Sequence, residues 1–482
     1  MELNSVKETR VLIVGAGPTG LALACDLARR GVPALVVEQA PALFPGSRGK
    51  GIQPRTREVL DDLGVGDAVR AHGAAALIGM TWQEGERQGE YDMFRRAAPT
   101  DAEPYGEPWM VPQWRTQEIL LARLRELGGD VVLSTALTAL TQDEHGVTAH
   151  LSTGQVRASY LVAADGGRST VRRALAVPMT GESVDPAPML VADVRIAGPA
   201  LDRLNWHIFV GESGYTTLCP LPGTADFQLV AQFKDGEPDT SPEGVRALIA
   251  ARTHLTADEV TEVRWSSDFR PRAALADRFR AGRVLLAGDA AHVHSPAGGQ
   301  GLNTSIQDAY NLGWKLGLVL LHGADPALLD SYEEERRPVA AEMLGLSTRI
   351  HRGEQERGTA TQQLGLGYRG SRLSVGRAGA LVSGDRAPDG PADGGLRLFD
   401  VFRGPHFTLL AVGVDTELPS FDGELVHTHR TTAYEAYGKG LFLVRPDGYI
   451  GWAGDDPAGL APYLAPLGIT PLDIAPLGIA QR

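Results

Sequence analysis

The chain has 482 residues, 43% of them hydrophobic and 22% charged, and a net charge of −13. That length predicts roughly two to four domains and a large buried core, and an acidic balance with no basic run argues against a nucleic-acid partner. Two cysteines, Cys25 and Cys219, give neither a disulfide framework nor metal-ligand spacing, and the absence of a signal-like segment or a bilayer-length apolar run leads us to expect a soluble cytoplasmic protein.

In chain order, the first predicted elements form a strand–loop–helix–strand unit. An apolar strand, Val11 to Val14, runs into Gly15-x-Gly17-x-x-Gly20. A helical pattern of Leu21, Leu23, Ala24, Leu27 and Ala28 follows and ends at Gly31. A second strand, Ala34 to Val37, ends in Glu38, 18 residues past Gly20. In such a unit Gly15 permits the tight turn, Gly17 lets backbone approach a pyrophosphate, and Gly20 lets helix and strand pack closely. Glu38 sits where a ribose hydroxyl needs an acceptor. The same glycine spacing recurs at Gly365, Gly367 and Gly370. That copy has no strand before it and no suitably spaced acid after it, so it reads as a loop.

Residues 161–173, LVAADGGRSTVRR, give another strand end, followed by Asp165, two glycines and a helix start with Arg172 and Arg173. Taken alone, Asp165 or Ser169 there is simply a helix cap. From about 181 to 269, MLVADVRIAG, LNWHIFVGE, GYTTLCPLPG and DFQLVAQF predict successive strands of one sheet. The segment 78–104, with Trp82 and Phe94, is expected to add to it. The apolar run Val284 to Ala287 then delivers Asp289 into GDAAHVHSPAGGQGLN, residues 288–303, which opens a helix from Thr304 to about Leu321. An acid for sugar hydroxyls, glycines that let backbone approach, and unpaired N–H groups at a helix start suit a polar, partly anionic cofactor. His292-x-His294 has no third ligand in view, and no metal is expected. The stretch SGDRAPDGPADGG, 383–395, reads as a linker. Beyond it lie the apolar segments RLFDVFRGPHFTLLAVG and GKGLFLVRPDGYIGWAG.

These three motifs in this order, GxGxxG, Asp165-Gly166 and Gly288-Asp289, resemble those of the single-component flavoprotein aromatic hydroxylases, the para-hydroxybenzoate hydroxylase-like family. The resemblance covers about residues 8–375. The C-terminal extension is most similar to that of members that modify polyketides and rifamycins. It implies an α/β fold: a discontinuous Rossmann-like FAD-binding domain at 1–180 and 270–382, a substrate-binding sheet domain at 181–269 with part of 78–104, and a thioredoxin-like C-terminal domain at 383–482. No cysteine lies beyond Cys219, so that last domain is expected to serve structure or subunit contact, and its place beyond the 383–395 linker predicts an independent unit. Its apolar strands need cover from the FAD-binding domain or from a second subunit.

The resemblance further implies non-covalent FAD. Gly15, Gly17, Pro18, Thr19 and Gly20 would wrap the pyrophosphate, Glu38 the adenosine ribose, and Leu137 the adenine. Arg48 would lie near the phosphates and flavin, Gln113, with Arg115 in reach, at the ribityl chain, and Asp165 in its own turn. Asp289 would hold the ribityl hydroxyls, and Pro296, Gly298, Gly301, Leu302 and Asn303 would line the isoalloxazine ring. The implied reaction is hydroxylation of a phenolic or polyketide-like substrate by molecular oxygen through a flavin C4a-hydroperoxide, with NADPH or NADH as a transient reductant. His207, Tyr215 and Arg195 are candidates for substrate activation; for His207 and Tyr215 pocket lining or core packing is the simpler reading, and for Arg195 a solvated arginine is an equal alternative. Baeyer–Villiger oxygen insertion and a non-enzymatic flavin-binding protein are the competing readings. A WxWxIP motif, expected of a halogenase, is absent.

Overall fold

The computed structural model describes residues 7–94 and 96–472. The outermost parts of the expected domains, 1–6 and 473–482, lie outside the described residues.

Lys7–Val14 is buried from Val11 onward and pairs in parallel with Ala34–Val37 on one side and Gly154–Ala163 on the other. Gly154–Ala163 pairs in parallel with Val284–Leu286, and Ala34–Val37 with Val131–Val132. Strands buried on both faces read as continuous apolar runs, as Val11 to Val14 and Val284 to Leu286 do. Arg280–Ala281 adds an antiparallel edge. The parallel arrangement has one consequence that matters for the site. Segments far apart in sequence end side by side, so Gly15, Glu38, Asp165 and Asp289 all follow strand ends at the same sheet edge. Helices Pro18–Arg29, Gln113–Glu126 and Gly301–Leu321 bury their apolar sides against this core.

The second sheet has seven strands, in the order Val260–Phe269, Met189–Ile196, Asp226–Gln232, Gly214–Pro220, Asn205–Gly211, Ile78–Gln83 and Glu86–Tyr91. Alternation divides its side chains between two faces. Leu190, Ala192, Val194, Leu218, Phe227 and Leu229 pack with Val245 and Ile249 of the helix Pro242–Arg252. The opposite face turns toward residues 44–50 of the first region.

The C-terminal sheet is mixed and six-stranded: Leu381–Val382, Val375–Ala378, Ile450–Gly454, Gly440–Val444, Phe407–Val412 and Val426–Thr431. It begins at residue 375, ahead of the boundary expected at 383. The expected linker is packed in place: Arg386 pairs with Glu58 at 3.0 Å, and buried Asp389 accepts from Arg397 (2.7 Å) and from the Phe399 N–H (2.9 Å). A second contact also ties this unit to the rest of the chain. A fully buried polar joint crosses to the helix Asp330–His351. Glu335 accepts from Lys315 (2.7 Å), Ser371 (2.7 Å), Asn311 (2.7 Å) and both terminal nitrogens of Arg445 (2.7 and 2.9 Å). Asp447 takes Arg445 at 2.5 Å, Asn311 at 3.0 Å and the Trp314 ring N–H at 3.1 Å. Charges sunk in apolar surroundings must be paired to be tolerated. Each side of this joint therefore depends on the other.

Candidate active site

The turns at the parallel sheet edge lie together, and the side on which Asp289 is exposed, between them and the seven-stranded sheet, is the candidate cleft. Gly15 has φ +108°, and a Cβ there would collide with the Ala164 carbonyl; one on Gly20 would collide with the Gly15 carbonyl. A Cβ on Gly17 would meet nothing within 4 Å. The Gly17 backbone therefore faces open space at the start of Pro18–Arg29, where Pro18 opens the helix and Thr19 and Gly20 are buried. The first N–H groups of a helix have no intrahelical partner and attract anions. Glu38 accepts from the Ala16 N–H (3.0 Å) and the Ala40 N–H (2.9 Å), which ties it to the glycine loop. The chain leading to buried Leu137 runs beside it, with the Thr135 N–H donating to the Glu38 carbonyl at 2.8 Å.

Asp165 accepts from the Thr170 and Val171 N–H groups at 2.7 and 3.2 Å, while Ser169 accepts from the Arg172 N–H at 2.9 Å. Both capping readings are thus realised in one turn. The second Asp165 oxygen is buried with no partner, and burial raises the pKa of the carboxyl. Arg172 links this turn to the next, donating to the Gly167 carbonyl (2.9 Å) and the Ala290 carbonyl (2.8 Å). Asp289 remains open to the cleft. Desolvation by the surrounding protein raises its pKa, against the opposing charges of His292 and Arg48. Arg48 lies over the rings of Phe44 and Trp265, 5.1 and 5.7 Å from their centroids.

Gln113, in the first turn of its helix, accepts the Gly49 N–H at 3.1 Å. Arg115 instead pairs with Glu118 at 2.6 Å on the exposed side. In the 296–303 loop Pro296 is exposed and Gly298 holds φ +79°. Asn303 is fully buried; it accepts the Gln53 N–H (2.8 Å) and donates to the Gly51 (2.9 Å) and Gly299 (2.7 Å) carbonyls. Its side chain is a brace, leaving the backbone N–H groups of Gly301, Leu302 and Asn303 at the helix start. His294 and His292 bond each other at 3.0 Å, and His292 bonds Asp308 at 2.5 Å. Asp308 also takes Arg336 (2.8 Å) and the Gly288 N–H (3.0 Å). The histidine pair therefore anchors the Asp289 turn.

Strand register supplies the facing wall. Trp265, Asp193, Gln228 and Cys219 stand directly opposite one another on successive strands, and the next position on the neighbouring strand is Trp206. This row meets the 44–50 segment: Gln228 bonds both the Ser47 carbonyl and Lys50, and Lys50 lies 4.0 Å from the Trp206 ring centroid. His207, one residue on, points the other way. It is fully buried, accepts the Trp82 ring N–H at 3.0 Å and bonds the Asp202 carbonyl at 2.9 Å. Its candidacy for substrate activation is overturned by alternation. Arg195 is held by Asp226 (3.0 Å) and Glu262 (3.6 Å) at the sheet margin. Tyr215 does share the cleft face. Its hydroxyl lies 3.9 Å from the Met189 sulfur, and burial pushes its pKa up to about 12. Sequence reasoning missed Lys50, Asp193, Gln228 and Trp206. An acid inside the apolar strand MLVADVRI was the available signal.

A family profile described as FAD binding domain matches residues 8–347, and one described as aromatic-ring hydroxylase, C-terminal, matches 381–466. The chain belongs to the FAD-dependent aromatic-ring hydroxylases. A flavin-dependent monooxygenase of Mycobacteroides abscessus is 45% identical over 474 residues, spanning 94% of this chain and 99% of the relative. The 12-dehydrotetracycline 5-monooxygenase/anhydrotetracycline 6-monooxygenase of Streptomyces rimosus is 35% identical over 498 residues, spanning 93% and 96%. Aklavinone-11 hydroxylase, solved with FAD and aklavinone, matches with a TM-score of 0.82 at 29% identity, over 96% of this chain and 99% of that one. Hydroxylases of this family use FAD, NAD(P)H and oxygen. The open cradle at Gly17, the unpartnered Asp165 oxygen and the cleft-facing Asp289 fit FAD in this chain.

Proposed function

We propose that this FAD-dependent monooxygenase hydroxylates a fused-ring phenolic substrate lying between the 296–303 loop and the seven-stranded sheet. One observation carries the reading. The loop that touches Leu302 and Asn303, residues 49–51, also reaches the aromatic and polar row of the sheet. In this reading Gly15, Gly17, Pro18, Thr19 and Gly20 hold the pyrophosphate, and Glu38 and Leu137 the adenosine. Arg48, Gln113, Asp165 and Asp289 hold the phosphates and ribityl chain. Pro296, Gly298, Gly301, Leu302 and Asn303 line the ring.

FAD supplies the electron exchange with NAD(P)H and the activation of oxygen. The chain's own share is position and electrostatics. N–H groups at the start of Gly301–Leu321 favour negative charge beside them. Val191, Val230 and Ile208, by register on the cleft face, keep the neighbourhood dry. The names of the tetracycline and aklavinone enzymes support fused-ring phenols as the substrate class. The test is turnover of anhydrotetracycline and hydroxyanthraquinones with NADPH under labelled dioxygen. The expected product carries one labelled atom in a new aryl hydroxyl. A labelled ester or lactone would move the assignment to Baeyer–Villiger insertion, and NADPH oxidation unaffected by every compound would overturn the substrate class.

A further inference from the structure

We propose that Lys50 is the substrate-positioning cation of this cleft, binding the phenolic substrate through its ionised hydroxyl oxygen. The inference rests on the function proposed above and deepens it. The Lys50 backbone is fixed on the flavin side. Its carbonyl accepts the Val111 N–H at 2.7 Å, the Gly49 N–H binds Gln113 at 3.1 Å, and the Gly51 carbonyl accepts from Asn303 at 2.9 Å. Its side chain crosses to the sheet, where the ammonium donates to Gln228 and sits over the Trp206 ring. Lys50 thus bridges the two walls between which the substrate is proposed to lie.

The charge around it is unbalanced. Among the described residues no carboxylate lies within 4 Å of the Lys50 nitrogen. Three fully or nearly buried cations in the same structure are each paired with a carboxylate: Lys315 with Glu335, Arg336 with Asp308, Arg55 with Glu58. The groups that act on Lys50 are Cys219 and Asp193 from the sheet and Arg357 from the segment after the Asp330–His351 helix. Desolvation lowers its pKa, and Arg357 adds to that effect. Asp193, directly opposite Gln228, is 2% exposed and faces Ser47. Neither of its oxygens makes a well-formed hydrogen bond. An ammonium has three donors, and Gln228 takes one. An anionic oxygen placed in the cleft would complete the set and supply the missing charge. On binding, the substrate O–H bond breaks, the electron pair stays on oxygen as phenolate, and the proton goes to the buffer. Ionisation also makes the ring electron-rich, as hydroxylation requires.

The test uses FAD-loaded enzyme and alizarin, a hydroxyanthraquinone whose ionised form absorbs at longer wavelength. It is run about one pH unit below the ionisation of free alizarin. Bound alizarin is expected to show the ionised spectrum, with one proton released to buffer. Lys50→Met is expected to return the bound dye to its neutral spectrum and weaken binding roughly tenfold or more. Lys50→Arg is expected to restore the ionised spectrum, and FAD content reports that each variant is folded. If Lys50→Met does not fold, the wild-type spectrum and Lys50→Arg decide. Neutral dye bound to the wild type, or ionised dye bound equally by Lys50→Met, overturns the role of Lys50 and leaves the proposed function standing. Failure of the wild type to bind alizarin overturns both.

Discussion

The helix Gly301–Leu321 passes two polar clusters built on opposite principles. Along its middle, Asn311, Trp314 and Lys315 meet Glu335, Arg445 and Asp447, and every charge has an opposite charge in contact. Around its start, Asp165 and Asp193 have oxygens without partners, Asp289 faces an open cleft, and Lys50 has a neutral amide and a ring for company. The first cluster is complete in the protein alone and acts as a joint. The second leaves its balance to whatever binds. The difference between the joint and the second cluster, our proposed receptor, lies in the pairing.

The contrast can be broken at its strongest point by ending the chain after residue 374. Lys315, Glu335 and Asn311 then lose Arg445 and Asp447, and no folded, FAD-loaded protein is expected on gel filtration. Glu335→Gln leaves Arg445 and Lys315 without their shared charge. A loss of about 3–5 kcal/mol is expected from urea unfolding. Recovery of wild-type stability in that variant would show that the joint is not structural.

A charge removed from the receptor cluster is expected to act in the opposite direction. Burial raises Asp193 to about 6 from an ordinary 3.8. A carboxyl raised in the folded state contributes stability fully present below pH 3.8, and that contribution is lost as pH rises through 6. Asp193→Asn is therefore expected to stabilise the FAD-loaded enzyme at pH 8, by up to about 3 kcal/mol. Near pH 3.8 it is expected to change little. Equal effects at the two pH values would remove the charge argument. Asp289→Ala is expected to keep the fold and weaken FAD binding by about 1.5–3 kcal/mol, roughly ten- to a hundredfold by fluorescence titration. The smallest effect is expected of Arg195→Gln. It removes one of two arginines that pair with buried Asp226, Arg264 remaining, and a partly exposed contact with Glu262; turnover is expected to stay within about twofold of wild type, and a larger fall would return Arg195 to the active site.

The flavin half was legible because its chemistry is local. A glycine triplet after a strand and an acid at the end of the next strand are written within residues 11–38, and the structure pairs those two strands in parallel. The decoy at 365–370 was also readable. The structure has Tyr368 there, buried, in a loop tied to Gly384. The wall against which we propose the substrate lies was not legible, because it depends on pairing between strands. Trp206 and His207 are equally plausible in LNWHIFVGE, and only the sheet's orientation decides which faces the cleft. Lys50 becomes noticeable only when Gln228 and Trp206, distant in sequence, arrive beside it. The joint was missed for a related reason. Arg445 and Asp447 look like an ordinary turn in VRPDGY until Glu335 is brought against them, and a stretch rich in Gly, Pro and Asp is a loop signal whether the loop is free or packed.

The parallel sheet has a consequence for how the protein is made. Val284–Leu286 joins beside Gly154–Ala163, so the turn bearing Asp289 cannot take its place until most of the chain has left the ribosome. The joint with Arg445 closes later still. Until then the early strands wait with an unpaired edge, the condition in which growing chains aggregate. On the proposed reading, the FAD site is complete only late in synthesis, after the Asp289 turn has joined the earlier strands.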